Sequence, residues 1–254
     1  MIDIFLGILQ GITEFLPISS SGHLVVFSSL FKENNFSTNE IAFLHLGTVL
    51  SILFFYYKDL IKLIKNKSSL LKIIKLLIVG MIPAAFVGLV FPISQLIDES
   101  KYILLITGFA YISFAVIMYY SEKSGDGETI IENISIKEAF TIGVAQGFAL
   151  LPGVSRSGVT LTSALFSGIE RKTAAKLSFL VGIPAILITG CVEFLTLYHS
   201  LSVIEILPII IGILSSFFSS LIAIDFLLKF LAKNNTFIFV YYRLAFGVFI
   251  LCTL

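Results

Sequence analysis

The sequence predicts an all-α polytopic membrane protein, with six transmembrane helices plus two re-entrant helix hairpins built as two inverted-topology repeats. Three observations predict it. Long apolar segments carry almost no charge; two further apolar segments are broken in the middle; and one polar motif recurs 136 positions later. Of 254 residues, 57% are hydrophobic and 13% charged, and the mean hydropathy is +1.02. A soluble domain carries roughly a quarter charged residues, so a soluble enzyme is excluded, and a net charge of +1 points to no nucleic-acid partner. Cys191 and Cys252 lie in separate apolar segments without CxxC spacing and read as packing residues. The N-terminus has no basic n-region, so no cleavable signal is expected.

Six segments approach the roughly 20 apolar residues that a helix needs to cross a ~30 Å hydrocarbon core: 41–57, 73–91, 102–120, 177–197, 205–228 and 237–254. Backbone polar groups must be satisfied within lipid, so these segments are helices. Segments 4–31 and 138–167 differ, because Pro17 and Pro152 interrupt them and serine- and glycine-rich stretches follow. Each arm has about 13 residues and reaches about 20 Å at 1.5 Å per residue. Neither arm spans alone, and a hairpin that dips in and returns fits better. Basic residues support that arrangement. With both hairpins re-entrant, thirteen lysines and arginines from Lys58 to Lys233 share one side, against Lys32 and Lys101 on the other. The rule that cytoplasmic loops are positive then puts both termini outside.

Displaced by 136, "GILQGITEFLPISSSG" (7–22) overlays "GVAQGFALLPGVSRSG" (143–158) without a gap, and the three spans after each hairpin nearly coincide. A single membrane domain, 1–254, therefore divides into repeat one, 1–120 (hairpin 4–31), and repeat two, 138–254 (hairpin 138–167). Three spans per repeat invert the second relative to the first. Broken helices in such folds meet near the midplane and build the site there.

Ser19 and Ser155 each precede a run able to start a helix. Serine is a favoured N-cap, and a helix N-terminus with free N–H groups receives anions, phosphate above all. Arg156 adds a planar guanidinium suited to phosphate oxygens, and an arginine inside a membrane hairpin is costly and functional. Its bland alternative is a structural pair with a carboxylate. Gln10 and Glu14 are i,i+4 on one helix face, and Ser20 and His23 are neighbours on the next helix. A hydroxyl near an imidazole near a carboxylate is an activated nucleophile, although His23 alone would read as a core histidine. His45 reads as structural and His199 as a solvated loop residue. Asp225 and Arg243, both placed in the cytoplasmic half, read as an ion pair. Glu193 is a further intramembrane charge. The lysine run 58–75 serves topology and anionic lipid headgroups.

"QGITEFLPISSSGH" (10–23) and "LPGVSRSGVT" (151–160) resemble the two signature motifs of the bacterial undecaprenyl-diphosphatases, the bacitracin-resistance family. The likeness extends over the whole chain, including "GMIPAAFVGL" (80–89) and "YYR" (241–243). It implies hydrolysis of undecaprenyl diphosphate to undecaprenyl phosphate and inorganic phosphate, recycling the lipid carrier of peptidoglycan synthesis. It also implies catalytic Glu14, Ser20, His23 and Arg156, with Gln10, Ser19, Ser21, Ser155, Arg156, Ser157 and Thr160 around the phosphates. Gln10 stands where many members have glutamate. Mg²⁺ or Ca²⁺ is the cofactor implied, with Glu14 as a ligand if the chain holds one, and no organic cofactor. The partners implied are an isoprenoid diphosphate lipid, membrane lipids and a second copy in a homodimer. The location implied is the bacterial inner membrane, with the site open outward. Ser20, His23 and water all remain open as nucleophile, and a flippase for a phosphorylated lipid is the alternative reading.

Overall fold

The computed structural model describes residues 2–31, 38–91, 97, 100–124, 127–197 and 203–253. His199 and Lys32 fall outside them, and the side chains of Cys191 and Glu193 are likewise not described. The described chain is helical, with one isolated bridge between Thr129 and Ile169. The helices are α1 (Ile2–Phe15), α2 (Ser20–Phe31), α3 (Thr38–Phe55), α4 (Tyr57–Lys65), α5 (Lys67–Val90) and α6 (Ile103–Lys123). They continue with α7 (Ile136–Gln146), α8 (Arg156–Phe166), α9 (Arg171–Leu197), α10 (Val203–Leu231) and α11 (Phe237–Cys252).

Among the described residues, each of the six predicted spans falls mostly in helix. Three stretches, Lys67–Val90, Ile103–Lys123 and Ile206–Leu231, are each long and apolar enough to cross a bilayer. A fourth candidate is a bent pair, whose break at Tyr56 falls where the span expected at 41–57 ends. The chain turns by 62° between Phe43–Phe55 and Tyr57–Lys65. The cause is compositional: from Tyr57 onward Lys58, Lys62 and Lys65 recur every three to four residues, so α4 has a polar face that apolar surroundings would not solvate. Outside, large apolar side chains such as Ile82, Phe86, Phe218 and Ile222 are exposed along their helices. A soluble monomer does not present so much contiguous apolar surface; a multi-pass membrane protein does.

Close backbone approach holds α1 and α7 in place. α1 lies along α10, and a Cβ at Gly7 would come within 2.4 Å of the Gly212 carbonyl oxygen. α7 lies along α5 in the same way, with Gly143 against the Gly80 carbonyl at 2.5 Å. Hydroxyls reinforce the first contact: Ser219 Oγ donates to Gly7 O (3.3 Å) and Ser220 Oγ to Gly11 O (3.4 Å). Small residues and serine hydrogen bonds are how helices associate where no hydrophobic gain is available.

At the other end of the bundle, Glu122 ties three helices together, which nothing in its local sequence announced. Its Oε1 accepts from Arg171 Nε (2.6 Å) and lies 2.5 Å from Nη2, while Oε2 accepts from Thr236 N (3.0 Å) and Oγ1 (2.7 Å). The end of α6 thus anchors the starts of α9 and α11. Breaking a buried pair from one side costs about 3–5 kcal/mol. Glu122→Ala is therefore expected to lower the melting temperature in detergent clearly, while the activity per folded molecule stays as it was. An unchanged melting temperature would refute the anchor.

Candidate active site

Both breaks are built alike. α1 stops at Phe15, a turn passes Pro17, and Ser19 caps α2 by accepting from Gly22 N at 3.3 Å. α7 leaves a capping box between Ser135 and Glu138, ends at Gln146 and passes through a short 3₁₀ turn. Ser155 then caps α8, accepting from Gly158 N at 3.0 Å. The next serine joins each cap: Ser19 and Ser21 hydroxyls are 3.3 Å apart, and those of Ser155 and Ser157 3.1 Å. Ser19 adopts a left-handed φ of 70°, uncommon for a residue with a Cβ. Its own carbonyl over-determines that geometry by accepting from His23 N, His23 Nδ1 and the Tyr111 hydroxyl.

Glu14 is the centre of the cluster. Its carboxylate is 7% exposed and its two oxygens are differently engaged. Oε1 accepts from Arg156 Nη2 at 2.7 Å. Oε2 accepts from Gln10 Nε2 (2.9 Å) and Ser20 Oγ (2.9 Å). The i,i+4 pairing of Gln10 with Glu14 is as the sequence predicts. Arg156 does pair with a carboxylate, and that carboxylate belongs to the site itself. Its other arm donates to Ser178 O at 3.1 Å. The guanidinium fits because α9 offers a glycine there: a Cβ at Gly182 would lie 1.8 Å from Nη1. Gly182→Ala should therefore push Arg156 out of register. An ångström of misplacement costs roughly 10²-fold in turnover, and a variant within twofold of the unmodified protein would show that the close approach is immaterial.

Three predicted residues are placed differently. His23 was expected against Ser20 and Glu14. Instead Nδ1 meets Ser19 O at 2.6 Å and the Tyr111 hydroxyl at 3.0 Å, and Nε2 meets the Tyr242 hydroxyl at 2.5 Å. A carbonyl only accepts, so Nδ1 carries the proton and Nε2 accepts from Tyr242. The ring stacks on Phe246, centroids 4.6 Å apart. These aromatic partners come from α6 and α11, far away in sequence, and they outcompete the short-range neighbours. Thr160 turns its hydroxyl back to Arg156 O (2.8 Å) and Ser157 O (3.1 Å). Ser157 Oγ donates across to Leu16 O at 3.0 Å, tying the second break to the first.

Arg243 and Asp225 do not pair. Asp225 accepts from Lys229 at 2.7 Å on the exposed face of α10. Arg243, 1% exposed, donates Nη1 to Pro17 O (3.3 Å) and Nη2 to Gly153 O (2.7 Å), with its guanidinium carbon 5.1 Å from the centre of the Tyr111 ring. Gly153 presents that carbonyl from φ 92°, a conformation that suits glycine. Pro17 and Gly153 occupy matching positions of the two motifs. One guanidinium therefore pins both breaks. The "YYR" at 241–243 was the only signal that could have found it.

The donor set does not fit a divalent ion held by the chain. Mg²⁺ and Ca²⁺ take six or more oxygens, several of them carboxylate. Here Glu14 is the one carboxylate, a guanidinium already occupies its Oε1, and Gln10 contributes only a neutral carbonyl oxygen. Among the described residues no group of three or more His, Cys, Asp or Glu gathers anywhere.

Comparison with known proteins places the chain in a family. Residues 3–249 match the family model described as bacitracin resistance protein BacA. A protein named undecaprenyl-diphosphatase from Prochlorococcus marinus strain NATL2A is 48% identical over 266 residues, covering 99% of this chain and 95% of that one. Its namesake from strain NATL1A is 48% identical, covering 98% and 94%, and that from strain MIT 9515 is 38% identical, covering 99% and 98%. With both motifs folded around one buried carboxylate, and relatives this similar along their whole length, the chain belongs to the BacA bacitracin resistance family.

Proposed function

We propose that this chain hydrolyses undecaprenyl diphosphate to undecaprenyl phosphate and inorganic phosphate, returning the lipid carrier to cell-wall synthesis and conferring bacitracin resistance. One observation carries the reading: Ser20, Glu14 and Arg156 form a continuous hydrogen-bonded chain between two serine-capped helix starts. A hydroxyl bonded to a buried carboxylate is a nucleophile with its base in place. A guanidinium and two helix N-termini beside it stabilise charge developing on phosphoryl oxygens.

In this reading Ser20 Oγ attacks the terminal phosphorus and gives its proton to Glu14. The P–O bond to the prenyl phosphate breaks, its electron pair stays with the departing phosphate, and water then cleaves the phosphoserine. Arg156 turns from Glu14 to the phosphoryl oxygens, Ser21 and the helix starts hold the rest, and His23 orients from its tyrosine-held position. No step of this reading runs through a divalent ion; were Mg²⁺ or Ca²⁺ present, it would neutralise the charge of the diphosphate.

The membrane arrangement belongs to the same proposal. α1, α2, α7 and α8 have 14, 12, 11 and 11 residues. At 1.5 Å per residue each falls well short of a ~30 Å core, which supports two re-entrant hairpins; the six spans and two inverted repeats rest on the hydropathy pattern and the motif recurring 136 positions later. The distribution of basic residues supports termini on the outer side of a bacterial inner membrane, and a lipid diphosphate arriving from the outer leaflet calls for a site that opens outward.

The test is phosphate release from undecaprenyl diphosphate by purified protein, with Ser20→Ala alongside and acid-stable capture of a phosphoserine. Hydrolysis lost in Ser20→Ala is the expected result. Full turnover in that variant would remove Ser20 as nucleophile, and binding without hydrolysis by the unmodified protein would favour a lipid flippase.

A further inference from the structure

The hydrolysis of a prenyl diphosphate near neutral pH does not balance without a proton leaving. The substrate trianion and water give prenyl phosphate and hydrogen phosphate, both dianions, and one proton. In the site described above, which this inference takes as its starting point, that proton first lands on Glu14. The carboxylate is almost wholly enclosed. Its hydrogen-bonding neighbours offer no exit: Arg156 has no lone pair to accept with, Gln10 is an amide, and Ser20 is the donor. His23, the imidazole the sequence pointed to, has both nitrogens taken by Ser19, Tyr111 and Tyr242.

A second imidazole faces Glu14. His45 on α3 places Nε2 3.9 Å from Glu14 Oε2, the same oxygen that accepts from Ser20. Its Nδ1 is buried and has no hydrogen-bond partner among the described residues. Its side chain is nevertheless 22% exposed against 7% for Glu14, so the imidazole reaches more accessible surface than the carboxylate it faces. Its helix is firmly placed, since Ser216 Oγ on α10 donates to Leu44 O at 2.8 Å and Thr48 Oγ1 to His45 O at 2.7 Å. α3 also packs on α1 and α9, the helices carrying Glu14 and Ser178.

We infer that His45 is the positioning residue that takes the turnover proton from Glu14 and passes it out of the site. In the first step the Ser20 Oγ–P bond forms, the bond to the prenyl phosphate oxygen breaks, and the Ser20 proton moves to Glu14 Oε2. In the second, water bonds to phosphorus, the Oγ–P bond breaks, and Ser20 Oγ takes that proton back from Glu14. The water proton goes to the freed carboxylate and from there to His45 Nε2. Without His45 the carboxylate stays protonated, and the next serine has no base. Gln10 cannot substitute, because an amide does not take up a proton. This chain therefore rests on one carboxylate and one imidazole.

The test uses purified full-length protein and steady-state phosphate release. Proton transfer by a positioned group contributes about 10²–10⁴-fold, so His45→Ala is expected to lose about 10²-fold in kcat, again on the strength of that contribution, with KM within twofold. Imidazole added to the buffer is expected to restore part of it, which a merely structural loss would not allow. His45→Gln keeps the volume and the fold but accepts no proton, so it should show the same kcat loss. Adding Gln10→Glu to His45→Gln supplies a second proton acceptor beside Glu14 and should recover turnover. Kinetics of His45→Gln within twofold of the unmodified protein overturn the role, and so does a loss in His45→Ala that imidazole leaves untouched. No hydrolysis by the unmodified protein overturns the phosphatase reading and this role with it, whereas normal hydrolysis with an indifferent His45 overturns the role alone.

Discussion

Arg156→Ala is expected to cut phosphate release by about 10³-fold or more, the scale on which arginines that neutralise a transferring phosphoryl group act. Two separate losses add up. The guanidinium is the cation on Glu14 Oε1 at 2.7 Å, so without it a carboxylate buried to 7% loses its charge partner. The second break also loses the only fork able to grip two phosphoryl oxygens at once. Arg156→Lys should recover little, because one ammonium cannot hold both Glu14 Oε1 and Ser178 O. Stability separates the two losses. Arg156→Ala combined with Glu14→Gln should regain melting temperature, since no unpaired charge remains, but no activity. Phosphate release within tenfold of the unmodified protein in Arg156→Ala would remove arginine from the chemistry.

Arg243→Leu is the second large effect, and here geometry fails before chemistry does. The side chain of similar bulk fills the space but donates nothing, so Pro17 O and Gly153 O lose a buried donor each. An unsatisfied buried group costs about 1–3 kcal/mol. Both breaks should loosen together, which hydrogen exchange at residues 16–22 and 151–158 would report as faster exchange in both segments. Turnover is expected to fall at least 10²-fold, the usual consequence of roughly an ångström of misplacement at a reacting centre. Arg243→Lys should not rescue, for want of a second arm. Accelerated exchange in only one break would show that the guanidinium does not couple them.

Much of this molecule was legible locally. Hydropathy located the long helices, Pro17 and Pro152 marked the breaks, and the serines after them do cap helices. The i,i+4 spacing put Gln10 on Glu14. What escaped is non-local. Hydropathy orders residues along the membrane normal but says nothing about which way a helix is rotated. Asp225 and Arg243 could therefore share a depth on paper while facing opposite ways in the fold. His23 goes to Tyr111 and Tyr242, 88 and 219 positions away, rather than to Ser20. His45 carries no motif around it and is informative only once α3 is laid against α1. Glu122 sits in a stretch that reads as an ordinary acidic connection, and its importance comes from two helix starts that fold back onto it.

The pin at Arg243 also fixes an order of events in the making of the protein. It joins Pro17 to a residue 226 positions later and Gly153 to one 90 positions later. Chains emerge from the ribosome N-terminal end first, so Glu14 and Ser20 enter the bilayer long before the guanidinium that steadies their turn exists. Until α11 is threaded in, the earliest-made part of the site waits with its Pro17 carbonyl unclaimed. A nascent chain halted between residues 160 and 243 would carry the reactive groups of both breaks without the guanidinium that aligns them.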